Sequence, residues 1–207
     1  MSHYFPLLVI GMQDRVCTYL NLNEIGQPGF GPKVRFESHL KYQTRAVAVF
    51  PEANGYGISS IEGRVAIKYI DRNLFSQGDE VKQMNTKYYI IKFSDDFAFR
   101  CHRTGDNNSE VYPVNSLVFN PVHGTFCSGG GDGTWMIWDK ESRTRLKQGG
   151  FQNKASITAL DYCYNGDILA YAGGYDWAKG VSYEGSYPPK IGLHFLPDSD
   201  KKKKPKK

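Results

Sequence analysis

A chain of 207 residues with 40% apolar content can bury the core of one domain, or of two small ones, which excludes a disordered or fibrous polymer. The net charge is +5, but six lysines crowd into Lys201–Lys207. Without that run the chain is close to neutral, so net charge alone argues for no nucleic-acid partner.

Taken in order, the chain writes one pattern four times: a short apolar run, a Gly/Asp turn, and a second apolar run. Unit one, about residues 1–36, places Asp14 before Val16-Cys17-Thr18-Tyr19 and starts so near Met1 that no opening strand is expected. Unit two, about 37–103, opens on the alternating Ala46–Phe50 and turns at Glu62-Gly63 before Val65-Ala66-Ile67. It carries an insertion near 72–97, inside which Lys87–Phe93 reads as an apolar strand. Unit three, about 104–150, runs through Val114–Phe119, the turn Asn120–Gly124, and Asp132-Gly133 before Trp135-Met136-Ile137-Trp138-Asp139. Unit four, about 151–197, contains Ile157–Tyr162, Ile168–Ala172, Asp176 and Ile191–Leu196. Residues 198–207 read as a basic, disordered tail.

The turn acids Asp14, Glu62, Asp132 and Asp176 are spaced by 48, 70 and 44 residues. One four-stranded blade of a WD-repeat propeller takes about 40–45. The fold class is therefore all-β, a partial WD-repeat β-propeller of about four blades with little or no helix. A seven-bladed ring takes roughly 300 residues at that repeat length. The chain is expected to be the C-terminal part of such a ring, with a compact four-bladed ring as the alternative. An open arc would expose unpaired strand edges.

Longer strings narrow the reading. Glu37–Arg45, Ser59–Ala66, Phe99–Arg103 and Tyr112–Ser116 occur in order, and together they resemble two sister WD-repeat families. One is the nuclear-pore mRNA export factor family; the other is the spindle-checkpoint protein that binds kinetochore kinases. Pro121–Thr125, Trp138–Lys147 and Tyr175–Gly180 look like the export factor, whose C-terminal half the chain matches. The resemblance implies a scaffold of the nuclear pore and nuclear envelope that supports mRNA export and shuttles to the cytoplasm. The alternative is a checkpoint adaptor at kinetochores.

Both families grip a short hairpin, the Gle-binding sequence (GLEBS), through its acidic residues; in the export family a Phe-Gly-repeat nucleoporin carries it. Arg45, Arg64, Arg100 and Arg103 fall on the matching positions. A guanidinium offers a rigid donor fork that suits carboxylates. The other reading is that these arginines cap strand ends or pair with Glu62 or Glu37. A second patch, Lys140, Arg143, Arg145 and Lys147 beside Trp138, matches a surface implicated in the export family in contacting nucleic acid and viral inhibitors that imitate it. Cations can follow phosphates while a ring stacks on a base. The opposing reading buries Trp138 in the blade core and leaves the cations solvated. The Lys201–Lys207 run resembles a nuclear import signal or an RNA tether.

No catalytic chemistry is expected. Cys17, Cys101, Cys127 and Cys163 stand apart with no C-x-x-C pair, and the five histidines have no partner at ligand spacing. This implies reduced thiols in the nucleus or cytosol and no zinc site. Ser128–Thr134 is glycine-rich but lacks the lysine and helix of a phosphate-binding loop. His102 reads as a packed, hydrogen-bonded residue. No cofactor, metal, small-molecule substrate or membrane insertion is expected.

Overall fold

The computed structural model describes residues 1–32, 34–70 and 95–204. Four antiparallel sheets succeed one another, each meandering in chain order. The first comprises β1 (Ser2–Tyr4), β2 (Leu7–Gly11), β3 (Val16–Asn21) and β4 (Val34–Glu37). The second comprises β5 (Thr44–Val49), β6 (Gly55–Ser60), β7 (Arg64–Tyr69) and β8 (Phe97–Arg100). A small hairpin, β9 (Arg103–Thr104) with β10 (Glu110–Val111), leads to the third sheet. That sheet is β11 (Val114–Phe119), β12 (Phe126–Gly130), β13 (Thr134–Asp139) and β14 (Thr144–Gly150). The fourth has three strands among the described residues: β15 (Ser156–Tyr162), β16 (Ile168–Gly174) and β17 (Lys190–Phe195).

Side-chain alternation holds the blades together. Successive residues of a strand point to opposite faces of its sheet. In β7, Ala66 packs into the core between blades one and two, while Val65 and Ile67 enter the core between blades two and three. In β13, Met136 faces backward into that second core, while Trp135 and Ile137 face forward into the third, with Ile157 and Leu169. Central strands buried on both faces read as continuous apolar runs, which is why Val65–Ile67 and Trp135–Trp138 carry little polar alternation. Polar pins cross the same seams. Ser59 donates its hydroxyl to the Val114 carbonyl at 2.9 Å, and buried Asn120 donates to the Gly166 carbonyl at 2.8 Å.

The inner strands of blades two, three and four share a device. Each has a register irregularity near its start, between Thr44 and Ala46, Val114 and Ser116, and Ile157 and Ala159. A bulge leaves one residue out of the ladder and re-aims its side chain. Those residues are Arg45, Asn115 and Thr158.

Two expectations need correction. The first blade has an opening strand: Ser2–Tyr4 pairs with Leu7–Val9. Three residues are too few to show an alternation, so its pairing is set by the neighbouring sheet. The C-terminal basic segment is also ordered through Lys204: Asp198–Lys201 form one helical turn, and Asp200 is buried. Asp198 and Asp200 stand just ahead of the lysines, and Asp198 pairs with Lys201 and Lys202. The strand expected at Lys87–Phe93 lies outside the described residues.

Ile67 is fully buried between blades, so Ile67→Ala removes packing that no neighbour can refill. It should destabilise the fold by about 2–5 kcal/mol. Ala98→Ser, on an exposed position of β8, should change little. Urea unfolding midpoints of the two variants check this.

Candidate peptide and nucleic-acid interface

The β12–β13 hairpin turns through Asp132 and Gly133, and Gly133 sits at φ +79°, a backbone region that favours glycine. Gly130 lies against the His102 imidazole so closely that any Cβ there would strike it. The glycine run thus clears space for a buried histidine rather than cradling a phosphate. His102 is fully buried, and its Nδ1 lies 2.9 Å from Asp132 Oδ1. Its Nε2 lies 2.9 Å from Ser128 Oγ, which accepts a 2.9 Å bond from Trp138 Nε1. The indole can only donate and the Asp132 carboxylate can only accept, so His102 Nδ1–H donates to Asp132, while Ser128 Oγ accepts from the indole and bonds His102 Nε2. One chain of four hydrogen bonding groups ties β12, β13 and the segment after β8 together. His102, Ser128 and Asp132 are buried, without the solvent access a catalyst needs.

That chain fixes Trp138. Its ring is half-buried and tilts against Phe99, with centroids 4.7 Å apart. Trp138, Phe97, Phe99, Phe126, Arg100 and Arg143 line a groove of about 370 Å³ between β8 and the third blade. The Arg143 guanidinium stands 4.7 Å over the Phe97 ring. Arg145, opposite Trp138 in register, is exposed and donates to Gln148. Lys147 is half-exposed, 3.5 Å from Asp200. Lys140 is different: it is 5% exposed, sits over the Phe50 ring at 5.1 Å and lies 3.5 Å from Glu52. Of the cationic patch, Arg143, Arg145 and Lys147 face outward, whereas Lys140 belongs to the packing.

The arginines gather at the opposite end of blade two. Register runs Thr44 to Ser60, Ser60 to Arg64, and Arg64 to Arg100 across the four strands. Arg64 and Arg100 therefore stand directly opposite, a like-charge pair that costs stability unless an anion joins it. Arg45, exposed at the inner-strand bulge, donates to Asn115 Oδ1 at 3.2 Å. Arg103 donates to the Glu62 backbone carbonyl at 2.7 Å, and the Glu62 carboxylate lies 3.5 Å from Arg64 Nε. Among the described residues, Arg100 makes no ion pair.

Residues not singled out from the sequence as binding candidates extend this rim. Asn115 donates to Ser156 Oγ at 3.0 Å, and Ser156 donates to Asp176 Oδ2 at 2.7 Å. Arg45, Asn115, Ser156 and Asp176 thus form one polar line across three blades. Asn115 and Asp176 lie within the family-like strings, but only the bulge at Asn115 and the chain leaving β16 place them on a common rim. Among the described residues no cluster of His, Cys, Asp and Glu is arranged to hold a metal. No helix there is long and apolar enough to cross a membrane.

Burial opposes ionisation of Asp132, but hydrogen bonds from His102 and Thr134 outweigh it and hold the carboxyl below its ordinary 3.8. A depressed acid stabilises the fold above its unfolded pKa and loses that contribution as pH falls through the folded value. Stability should therefore decline below about pH 4. Asp132→Asn should lower stability at neutral pH by roughly 1–3 kcal/mol and flatten the decline, as read from thermal unfolding between acid and neutral pH.

Comparison with known proteins agrees with this architecture. The family "WD domain, G-beta repeat" matches residues 99–139, which span the last residues of β8 through the end of β13. The chain is 39% identical to the Poly(A)+ RNA export protein of Schizosaccharomyces pombe, over all of this chain and 53% of that protein. It is 41% identical to the mRNA export factor GLE2 of Chaetomium thermophilum, over 96% of this chain and 50% of that one. The Mitotic checkpoint protein BUB3.1 of Arabidopsis thaliana is 36% identical, over 96% and 52% respectively. The chain spans about half the length of the curated relatives it matches. It is a WD-repeat protein, homologous along nearly its whole length to the mRNA export factors and to their checkpoint sisters.

Proposed function

We propose that this chain is part of a noncatalytic scaffold of the nuclear pore and nuclear envelope that docks on an acidic GLEBS hairpin of a nucleoporin and supports mRNA export. The observation that carries the reading is the charge balance of the blade-two rim. Arg45, Arg64, Arg100 and Arg103 gather at that end, where the Glu62 carboxylate reaches Arg64 and only the Glu62 backbone carbonyl accepts from Arg103. Arg64 and Arg100 face each other, and Arg45 is held by a neutral amide rather than a carboxylate. A hairpin that brings carboxylates to this rim would relieve the repulsion between guanidiniums already in place.

Arg45→Ala should weaken capture of a nucleoporin GLEBS peptide at least about tenfold, since truncating one partner of an interfacial charge pair costs about 2–5 kcal/mol. Isothermal titration measures it, and unchanged affinity would remove the mechanism. A kinase GLEBS peptide in the same assay separates the export role from the checkpoint one. Tighter binding of the kinase peptide would favour the adaptor reading, which the similarity to BUB3.1 keeps in view.

The groove beside Trp138 supplies a second contact in this proposal, to single-stranded RNA of the exported particle. Arg143, Arg145 and Lys147 would follow phosphates, and the half-buried Trp138 and Phe97 offer apolar surface to a base. Neutralising Arg143 and Arg145 to glutamine should lower the slope of log affinity against log salt by about 1.4, at roughly 0.7 per single-strand phosphate contact. Fluorescence anisotropy with an oligouridylate gives the slope. No change would confine the patch to a structural role.

A further inference from the structure

The C-terminal segment crosses the ends of three blades, at the end of the sheets away from the arginine rim, and it is held there by turn residues. Leu196 is buried, and its amide donates to the Asp167 carbonyl at 2.8 Å. The Lys201 carbonyl accepts from Thr125 Oγ1 at 2.9 Å, and its ammonium lies 2.6 Å from Asp167. Lys202 pairs with Asp198 at 2.5 Å. Lys203 reaches Glu141 at 2.6 Å and Glu52 at 3.9 Å, and the Lys204 amide donates to Asp139 Oδ2 at 3.0 Å. Three successive lysines of the run therefore each face a carboxylate, supplied by the β5–β6, β13–β14 and β15–β16 turns and by Asp198.

We infer that residues 198–204 form an electrostatic latch that masks the lysine run and opens when a single-stranded RNA engages the neighbouring groove. This rests on the RNA reading above. The coupling lies in Asp139, which lines the groove beside Trp138 and accepts the Lys204 amide. A phosphate in the groove lies beside Asp139 and competes with it and with Glu141 for the adjoining Lys203 and Lys204. The lysine pairs that remain are at least partly exposed, individually weak and screened by salt, so a polyanion competes with them effectively. Opening adds Lys201–Lys204 to the bound surface and explains how a basic run can be both docked and available. The Glu52 and Glu141 carboxylates keep Lys140 as a partner when the latch leaves, so opening does not strand them.

The test uses the full chain carrying Glu141→Gln and Asp167→Asn, with Asp106→Asn and Glu184→Gln as a charge-matched control on exposed residues. Hydrogen exchange at the Lys204 amide should accelerate at least about tenfold in the first variant, while β12 and β13 amides stay protected. Affinity for a short oligouridylate should rise at least about threefold above the control, with a steeper salt dependence. Ending the variant chain after Asp200 should cancel that gain. If the unaltered chain binds RNA but the variant binds no tighter than the control, or Lys204 stays protected, the latch is wrong and the RNA reading stands. If neither binds, the RNA reading fails and takes the masking with it.

Discussion

Two-sided burial of the central strands is the constraint on which the rest of this structure depends. The central strands of blades two and three feed alternate side chains into two different cores, so neither blade has a stable face of its own. The consequence is positional precision. The seams between blades carry both the apolar packing and the polar pins that fix one blade's height against the next. Surface groups at the blade ends therefore sit where the seams put them, not where a flexible loop would let them go.

The hydrogen-bond line from Trp138 through Ser128 and His102 to Asp132 adds a second level of fixation. It converts four polar groups, each costly to bury alone, into a satisfied network that locks the β12–β13 hairpin to the entry of the blade. It also decides what Trp138 can do. An indole tethered by its N–H offers an edge and part of a face to the groove, and cannot swing out as a free stacking ring. Lys140 shows the same logic with charge. Placed over the Phe50 ring and beside Glu52, it supports the turn from beneath, so the outward cations of the patch are the later ones on β14 and its turn.

The two ends of the blade stack carry opposite chemistry. One end presents guanidiniums in a row set by strand register, extended by the inner-strand bulges into a polar line across three blades. The other presents turn carboxylates that are already occupied by the chain's own lysines. With guanidiniums at one end and paired carboxylates at the other, the blade stack is chemically polar from end to end.

Much of this was legible in the residues. The alternation in Val114–Phe119, the turn acids and their spacing, and the Trp-Asp ending specify blades, because side-chain period and turn chemistry are local properties. The reading of His102 as a hydrogen-bonded core residue follows from the absence of partners in sequence, and the buried network agrees with it. The three-residue opening strand, the docking of the basic segment, the burial of Lys140 and the Arg64–Arg100 juxtaposition were not legible. Each depends on which residues from distant parts of the chain arrive at one place, and on register and bulges that no local pattern encodes. Sequence alone settled what kind of sheet this chain builds, since period and turns are written residue by residue. Tertiary structure alone decided which charges are free and which are spent, since a charge's availability is set by the neighbours that folding brings to it.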